Sequence, residues 1–459
     1  MTDGLGRFGS IADEPASLLL RGARVVDPTT GRDEVGDVAI DGGVVVAVLR
    51  DGARIIDATG WVVAPAFCDL HAHLRQPGGE EAEDVASGTR AAAHSGYATV
   101  CAMPNTDPPL DTPAQVAAVL AAGAGAASRV RVVGAATRGR SGAMLADLAA
   151  LHDAGVVAVS DDGAAIRSAR LARSLLAYLA PLGLALFEHA EDATLAAGTL
   201  LRGGPTATRL GLPAWPVSAE VTIVERDIAL AEETGARLHL THLSSAAGLD
   251  AVRRAKERGL PVTCDVTPHH LALADTWAAG ERRWAWEQDP EATDAPPVDA
   301  ELAYDANLRV NPPLASVRDA QALLDGLADG TIDAIATDHA PHPPQRKLVP
   351  WDEAAPGMIG LETALGIGLA AVAAGRLRLP ALLAALGDRP ARIIGESRSL
   401  AIGQPADLVA FDPGASWRVE RASLTSRSVN TPLLGRELRG VVRLTVVGGR
   451  VTYDATAGG

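Results

Sequence analysis

The sequence predicts an α/β fold: a (β/α)8 TIM-type barrel with a small β-sandwich domain formed by both termini. Between residues 65 and 399, eight apolar strand-like runs alternate with Ala- and Leu-rich helical stretches, the pattern of βα units around a parallel barrel. Short β-rich runs broken by glycine occur near both ends of the chain. Most of the central runs end in a polar residue, and active sites form at the carboxyl ends of barrel strands.

Hairpin signals at both ends predict the terminal domain. Residues 18–65 contain the runs LLLRGARVVD, DVAIDGGVVVAVL and ARIIDATGWVVAP, with a turn at Asp41-Gly42-Gly43. From about residue 405, the runs ADLVAFD and VVRLTVVGGRVTYD follow the same style. We therefore assign residues 17–64 and 400–459 to one composite β-sandwich domain and residues 1–16 to a flexible tail.

The barrel is assigned to residues 65–399. Its strands are predicted in the runs WVVAPAFCDLHAH, ATVCAM, RVRVVGAA, VVAVSDD, LALFEHA, RLHLTHLS, PVTCDVTPHH and AIATDHAP. Residues 276–307 interrupt this plan, because they carry tryptophans, acids and a Pro-Pro pair without a clear period. We interpret this segment as a long inserted loop: a lid, an oligomer contact or a plain solvated insertion.

Composition restricts the class of protein. Of the 459 residues, 47% are hydrophobic and 21% are charged, which is typical of a globular chain with a large core. The net charge of -15 leaves no basic stripe for nucleic acid or an anionic membrane. Three separated cysteines and no signal-peptide pattern predict a cytoplasmic protein. The apolar run 364–375 is too short to cross a bilayer and is expected to form a buried helix.

Histidines and an aspartate at the strand ends predict a metal site. His71 and His73 stand two residues apart at the end of the first barrel strand, so their side chains leave the same face. An isolated pair of this kind most often only packs or is solvated. However, His189, His242 and Asp338 end the fifth, sixth and eighth runs, where a closed barrel brings them together. The joint pattern favours metal binding.

An acidic pair, Asp161 and Asp162, ends the fourth run and could supply a bridge between two metals. One aspartate is expected to ligate and the other to cap a helix or form a turn. The chain has only two lysines, Lys256 and Lys347, and neither ends a strand. The bridge is therefore predicted to be a carboxylate rather than a carbamylated lysine. Oxygen and imidazole donors suit zinc, with manganese or cobalt as substitutes.

Other histidines and the cysteines are assigned structural roles. His239 has the opposite strand parity to His242 and is expected to face the helices. His269 and His270 are expected to support the ligands from outside. The cysteines are interpreted as small buried hydrophobes.

Seven motifs resemble, in order, those of the class I dihydroorotases of the amidohydrolase superfamily, over about residues 17–455. They are DLHAHLRQPGGEE, AMPNTDPPLDTP, SDDG, THLSSAAG, DVTPHHLAL, RVNPPL and TDHAPH. The resemblance selects Asp162 as the bridge and implies about two zinc ions per chain. The six implied ligands are His71, His73, Asp162, His189, His242 and Asp338.

The resemblance also implies a pocket for the carboxylate and ring of a small substrate. The residues assigned to it are His73, Arg75, Asn105, Asn311, His342, Pro356 and Gly357, and Asp338 is the implied catalytic acid and base. The chain departs from the family pattern at Gln76 and Asp265, where glutamate is usual. Neither departure removes a ligand.

The implied activity is the reversible hydrolysis of L-dihydroorotate to N-carbamoyl-L-aspartate by a metal-bound hydroxide, the third step of pyrimidine synthesis. The alternatives are another cyclic-amide hydrolase, such as a hydantoinase or allantoinase, and a non-catalytic dihydroorotase-like partner of aspartate carbamoyltransferase. The complete ligand set argues against the non-catalytic alternative, and the carboxylate-binding residues argue against the other hydrolases. A homo-oligomer and a complex with aspartate carbamoyltransferase are the expected assemblies.

Overall fold

The computed structural model describes residues 6–457. Its strands are β1 (Arg7–Phe8), β2 (Leu18–Asp27), β3 (Arg32–Asp41), β4 (Val44–Val46), β5 (Arg54–Asp57), β6 (Val62–Pro65), β7 (Phe67–Ala72), β8 (Tyr97–Ala102), β9 (Arg129–Ala135), β10 (Ala158–Ser160), β11 (Ala185–Glu188), β12 (Leu201–Arg202), β13 (Ala214–Trp215), β14 (Arg237–Leu240), β15 (Val262–Val266), β16 (Ala334–Ile335), β17 (Leu408–Arg418), β18 (Glu437–Val447) and β19 (Arg450–Asp454).

The helices lie mainly between the central strands, as the sequence predicts. They are α1 (Val85–His94), α2 (Pro113–Ala122), α3 (Leu148–Asp153), α4 (Ala169–Leu182), α5 (Pro205–Leu210), α6 (Ser218–Thr234), α7 (Ala246–Glu257), α8 (Pro268–Ala272), α9 (Val317–Asp329), α10 (Pro344–Lys347), α11 (Ala364–Ala373), α12 (Leu379–Leu386) and α13 (Asp388–Ile393). No helix within residues 6–457 is long and apolar enough to cross a membrane.

Eight parallel strands form the predicted barrel, in the order β7-β8-β9-β10-β11-β14-β15-β16. The end strands β7 and β16 are joined by a side chain rather than by a ladder. The buried carboxylate of Asp69 accepts hydrogen bonds from the backbone N–H of Thr337 at 2.8 Å and from its hydroxyl at 2.5 Å. An isolated parallel bridge between Ala72 and His339 completes the closure. These contacts close the barrel at its carboxyl end, where β7 and β16 finish.

The barrel interior below this end is mainly apolar. Cys68, Leu70, Cys101 and Phe187 belong to one buried cluster inside the sheet, while neighbouring strand residues such as Leu186 pack against the helices. All three cysteines are free and buried, as the sequence interpretation has it. Side chains alternate between the barrel interior and the helix layer. Because both of these faces are buried, the strands appear in the sequence as nearly continuous apolar runs.

His239 lies inside the barrel, so the expectation that it faces the helices is wrong. Its ring contacts Phe187 at 4.6 Å between centroids, and its Nε2 lies 2.9 Å from the Asp265 carboxylate. The parity argument fails because β14 ends at Leu240 and the backbone then turns, with φ of 37° at His242. Two residues beyond a strand end no longer follow its alternation.

The termini share one mostly antiparallel sheet of nine strands, in the order β1-β19-β18-β17-β6-β2-β3-β4, with β5 pairing β2. The sheet curls around its own apolar cluster, which includes Leu20, Ile40, Leu408 and Leu444. Its edge returns to the other half where Val44 bridges Pro405. The expected sandwich is thus made by one continuous curved sheet.

Residues 7–16, expected within a flexible tail, are instead packed into the fold. The strand Arg7–Phe8 pairs antiparallel with β19, and the Phe8 ring lies 5.3 Å from the Tyr453 ring. The N–H of Ile11 donates to Ala126 O at 2.9 Å. Pairing with a sheet edge satisfies this backbone, which a tail would leave to water. Residues 1–5 of the expected tail lie outside the described residues.

The predicted buried helix is α11, which packs against the terminal sheet. A Cβ placed on its Gly366 would stand 3.0 Å from the Leu438 Cβ of β18. Glycine therefore lets helix and strand approach closely and joins the barrel to the terminal sheet.

The segment 276–307 is a loop with short 3-10 turns, and its tryptophans are part of the core. Trp277 is fully buried, and its ring stacks on Trp284 with centroids 6.0 Å apart. The Arg436 guanidinium, next to β18, lies 3.6 Å from the centroid of the Trp284 ring. The interpretation as a plain solvated insertion is therefore wrong, because the loop packs between the barrel and the terminal sheet.

We expect Trp277→Ala to lower the free energy of unfolding by about 3–5 kcal/mol, because it removes a large side chain from a closely packed site. Urea unfolding followed by tryptophan fluorescence and circular dichroism measures this. Val298→Ala is the matched control in the same loop: Val298 is 43% exposed, so the change should stay within about 0.5 kcal/mol. Equal, small effects of both substitutions would mean that the loop contributes nothing to the core.

Candidate active site

The six predicted metal ligands meet at the carboxyl end of the barrel. Each follows or ends a different strand, except the pair from β7, and all are at most 6% exposed. The six residues and their strands are His71 in β7, His73 just after β7, Asp162 after β10, His189 after β11, His242 after β14 and Asp338 after β16. Parallel strands with a common tilt bring these ends to one place.

Asp162 lies at the centre of the cluster. Its Oδ1 is 3.3 Å from His71 Nε2, 3.8 Å from His189 Nδ1 and 3.9 Å from His242 Nε2. Its Oδ2 points the other way, 3.7 Å from His73 Nε2. The two oxygens of one carboxylate therefore face two different sets of imidazoles.

The cluster divides into two groups whose donor atoms lie within 4.8 Å of one another. One contains His71, Asp162 and His242, and the other contains His71, His73 and Asp338. His189 extends the first group, with its Nδ1 3.0 Å from His242 Nε2. In the second group, His73 Nε2 lies 2.9 Å from Asp338 Oδ1.

These residues fit a divalent cation. Neither ring nitrogen of the buried His71 has a hydrogen-bond partner among residues 6–457, although a buried polar atom without a partner is costly. Imidazole nitrogens and carboxylate oxygens are the donors that zinc and similar metals take. The buried histidine and aspartate groups can therefore hold a metal.

The electrostatics of the cluster favour a positive charge at its centre. Burial alone would lower the pKa of His71, but the Asp162 and Asp338 carboxylates outweigh burial and raise it to about 10. Burial opposes ionisation of Asp338, yet His73 and His71 lower the pKa of this carboxyl below its usual range. Two carboxylates in a buried pocket thus require a counter-charge.

The acidic pair after β10 has divided roles. Asp161 turns away from the cluster and accepts hydrogen bonds from the backbone N–H of Thr137, at 2.9 Å, and from its hydroxyl. Arg140 donates to the backbone carbonyls of both Asp161 and Asp162. One aspartate holds the turn while the other faces the histidines. Asp162, which the resemblance to the family selects as the bridge, is the aspartate that faces the histidines.

A cavity of about 230 Å³ opens above the cluster, and its lining includes every residue assigned to the substrate pocket. Asn105 is in contact with the cluster: its Oδ1 lies 2.8 Å from His73 Nδ1 and its Nδ2 donates to Asp162 at 3.0 Å. Asn311 Nδ2 lies 3.4 Å from His189 Nε2. The amides therefore border the metal-type cluster directly.

Arg75 and His342 line another part of the cavity. Arg75 donates to Pro341 O at 3.1 Å, and its Nη2 lies 3.4 Å from His342 Nε2. His342 Nε2 also lies 2.8 Å from Pro356 O. Burial, and then the charge of Arg75, lowers the pKa of His342 to about 3, which keeps this ring neutral. Arg75 and Arg346, which also lines the cavity, remain as positive charges for an anionic ligand.

The backbone is strained around the site. The non-glycine residues Arg75, His242 and Asp338 have φ angles of 59°, 37° and 45°. Gly357 has φ of 131°, and a Cβ there would stand 2.6 Å from the Ala340 Cβ, so this wall of the cavity requires glycine. Such conformations persist only where surrounding contacts hold them.

Two residues that hold histidines of the cluster, Asp265 and Asp69, were not identified as functional from the sequence. Asp265 Oδ1 accepts the His242 N–H at 2.6 Å, and Asp69 accepts the His71 N–H at 3.3 Å. His269 and His270, for which the sequence predicted a supporting role, are both buried, and His270 Nε2 lies 3.1 Å from Pro312 O, beside Asn311. Asp265 was visible only as a departure from a motif, and strand-end patterns give no signal for Asp69.

Comparisons with known proteins agree with this arrangement. A family model described as dihydro-orotase-like matches residues 60–247. A dihydroorotase of Anaeromyxobacter sp. (strain K) is 45% identical over 95% of this chain and 98% of its own length. A dihydroorotase of Pelotomaculum thermopropionicum is 43% identical over 95% of this chain and 98% of its own.

The fold also matches solved structures at lower identity. The L-hydantoinase of Arthrobacter aurescens superimposes with a TM-score of 0.80 at 24% identity, covering 96% of each chain. This likeness concerns the barrel and the terminal sheet only. The sequence identity to the dihydroorotases over nearly the whole length is what decides the family, and the chain belongs to the dihydroorotases, a family of cyclic amidohydrolases.

Proposed function

We propose that this chain catalyses the reversible hydrolysis of L-dihydroorotate to N-carbamoyl-L-aspartate. The observation that supports it most is the pairing, in one cavity, of a buried histidine-aspartate cluster with a fixed guanidinium and two amides. The first group suits attack on an amide, and the second suits a ring that carries a carboxylate. The relatives at 45% and 43% identity are named for this reaction.

We propose two zinc ions per chain. His71, His73, Asp162, His189, His242 and Asp338 would hold them, with Asp162 between the two sets of imidazoles. When bound, the ions would polarise the amide carbonyl and make water a nucleophile near neutral pH. Neither lysine reaches the cluster: Lys256 pairs with Asp333 at 2.6 Å and Lys347 contacts backbone carbonyls, so a carboxylate is the bridge we propose.

Asp338 is the proposed proton carrier. In the ring-opening direction, the water oxygen bonds to the ring carbonyl carbon while Asp338 takes the water proton. The carboxyl then gives this proton to the ring nitrogen as the C–N bond breaks. In ring closure the same steps run in reverse. A carboxylate stabilised by His73 and His71 is ionised at the start of either cycle.

Arg75, Asn105 and Asn311 are the proposed orienting residues. Arg75 pairs with the substrate carboxylate, and the amides contact the ring near the cluster. In this arrangement the ring amide would lie over the histidines and aspartates. Less translational and rotational entropy would then be lost in reaching the transition state. A hydantoin or allantoin lacks a carboxylate at this position and would leave Arg75 unpaired.

The remaining parts of the proposal concern assembly. We propose a cytoplasmic homo-oligomer that can associate with aspartate carbamoyltransferase. The ligands and the cavity are already together in the single chain, which favours activity without that partner. Assay of the purified chain alone, and then with aspartate carbamoyltransferase, tests this.

Asp338→Asn should keep its metal and lose about 10²- to 10⁴-fold in kcat in both directions, because the amide cannot carry the proton. Turnover of both substrates and metal content by mass spectrometry measure this. Asp325→Asn is the control, since the Asp325 side chain, on α9, is 67% exposed and pairs with Arg376. Near-native turnover of Asp338→Asn would refute the assignment.

Arg75→Ala should raise KM by about 10- to 100-fold with a smaller effect on kcat, because a charge-assisted contact with the carboxylate is lost. Arg75→Lys should be intermediate, since it keeps the charge without the forked geometry. Arg209→Ala, at an exposed position of α5, is the control. An unchanged KM in Arg75→Ala would exclude this residue from carboxylate binding.

Removal of metal by a chelator should abolish dihydroorotate hydrolysis and lower the Tm, because a ligand that binds only the folded state stabilises it. Added zinc should restore both, with about two ions per chain. His242→Ala should bind less zinc, whereas His152→Ala, with a side chain 44% exposed, should bind the wild-type amount. Full activity in verified metal-free protein would contradict the proposal.

A further inference from the structure

Lys347, at the end of α10, lies beneath the wall of the substrate cavity. The residue is 4% exposed. Its ammonium donates to Ala355 O at 2.8 Å, Gly357 O at 3.0 Å and Arg309 O at 3.3 Å. Three donors on one nitrogen thus meet three converging backbone carbonyls.

The carbonyls belong to the segments that line the cavity. Ala355 and Gly357 flank Pro356, and all three residues line the space above the cluster. Arg309 lies two residues before Asn311, and its carbonyl also accepts the Gly357 N–H at 2.8 Å. Lys347 therefore joins the wall 355–357 to the segment that carries the substrate-facing asparagine.

Other side chains hold the same wall through its backbone. Asn430, from the segment before β18, donates to Gly357 O at 3.1 Å and to Ala340 O at 3.0 Å. The Arg309 guanidinium donates to Asp352 O at 2.8 Å and Trp351 O at 3.0 Å, earlier in the loop. The wall has no regular secondary structure, so these contacts determine its position.

The use of lysine here is unusual for this chain. Of its 41 basic residues, only Lys256 and Lys347 are lysines, and the rest are arginines. A planar guanidinium directs its donors in one plane, whereas an ammonium directs its three donors towards three corners of a tetrahedron.

Lys347 has no carboxylate within 4 Å among residues 6–457, so an ion is buried here against carbonyls alone. Burial lowers the pKa of its amine to about 7. A buried cation of this kind is expensive unless its contacts are needed.

We propose that Lys347 is a positioning residue that sets substrate affinity. It does so by holding the wall 355–357 at a fixed position relative to the Arg309–Asn311 segment. The inference rests on the proposed function, because it assigns substrate binding to this wall. Lys347 acts through the backbone and does not touch the metal-type cluster. Its loss should therefore weaken substrate binding more than it slows the chemical step.

The test compares Lys347→Met, Lys347→Gln and Lys347→Arg in metal-loaded, full-length enzyme. We expect Lys347→Met to raise KM for dihydroorotate at least tenfold, with kcat within threefold of wild type and metal content unchanged. Lys347→Gln, which keeps two donors, should be intermediate. Lys347→Arg should not restore the wild-type KM, because its donors lie in one plane. Lys256→Met is the matched control and should leave KM unchanged.

Hydrogen exchange provides a readout that does not depend on turnover. In Lys347→Met, amide exchange should rise in residues 351–358 and stay at the wild-type rate in the barrel strands. Unchanged KM and unchanged exchange would overturn the inference. A parallel loss of kcat, metal content and strand protection would also overturn it, since Lys347 would then support the whole fold. Failure of the proposed function can be told apart from failure of this inference. In the first case the wild-type enzyme does not turn over dihydroorotate, and the exchange measurement still shows whether Lys347 holds the wall.

Discussion

The negative charge of Asp162 and Asp338, buried among four imidazoles, is the constraint on which the site depends. Carboxylates in a dry pocket are stable only beside positive charge or hydrogen-bond donors. The histidines answer part of this requirement, as the raised pKa of His71 indicates. Both ring nitrogens of His71 nevertheless lack hydrogen-bond partners within residues 6–457, so the pocket can accept a cation as well.

The surrounding barrel keeps this charged cluster from relaxing. Asp69 accepts two hydrogen bonds from Thr337, which holds the cluster residues of the first and last barrel strands close together. Asp265 holds the N–H of His242, whose backbone is in a left-handed conformation. Strained backbone and buried polar groups occur together here because a catalytic arrangement demands atoms in places that relaxed strands do not supply. The contacts of the surrounding strands stabilise these strained conformations.

The proposed substrate side of the site is built differently. Its residues lie on loops, and the loops are held by side chains that bind backbone carbonyls, chiefly Lys347, Arg309 and Asn430. Asn430 comes from the chain between the last two long strands of the terminal sheet, so that domain also supports the pocket. The tryptophans of the inserted loop add a second connection between the two parts. Loops placed on a rigid barrel can adapt to a ligand while the metal-type cluster stays fixed.

The sequence alone determined the barrel, the terminal sheet and the six residues of the cluster. Apolar runs and their spacing indicate strands, and strand-end residues of the cluster such as His71 and Asp338 fall within long ordered motifs. Local pattern could not reveal contacts between distant segments. It placed His239 on the wrong face, because the turn after β14 is not visible in the alternation, and it treated residues 7–16 as a tail, because their pairing partner is β19. The roles of Asp69, Trp277 and Lys347 were decided only by the tertiary structure, since burial and convergent carbonyls arise from segments far apart in the chain.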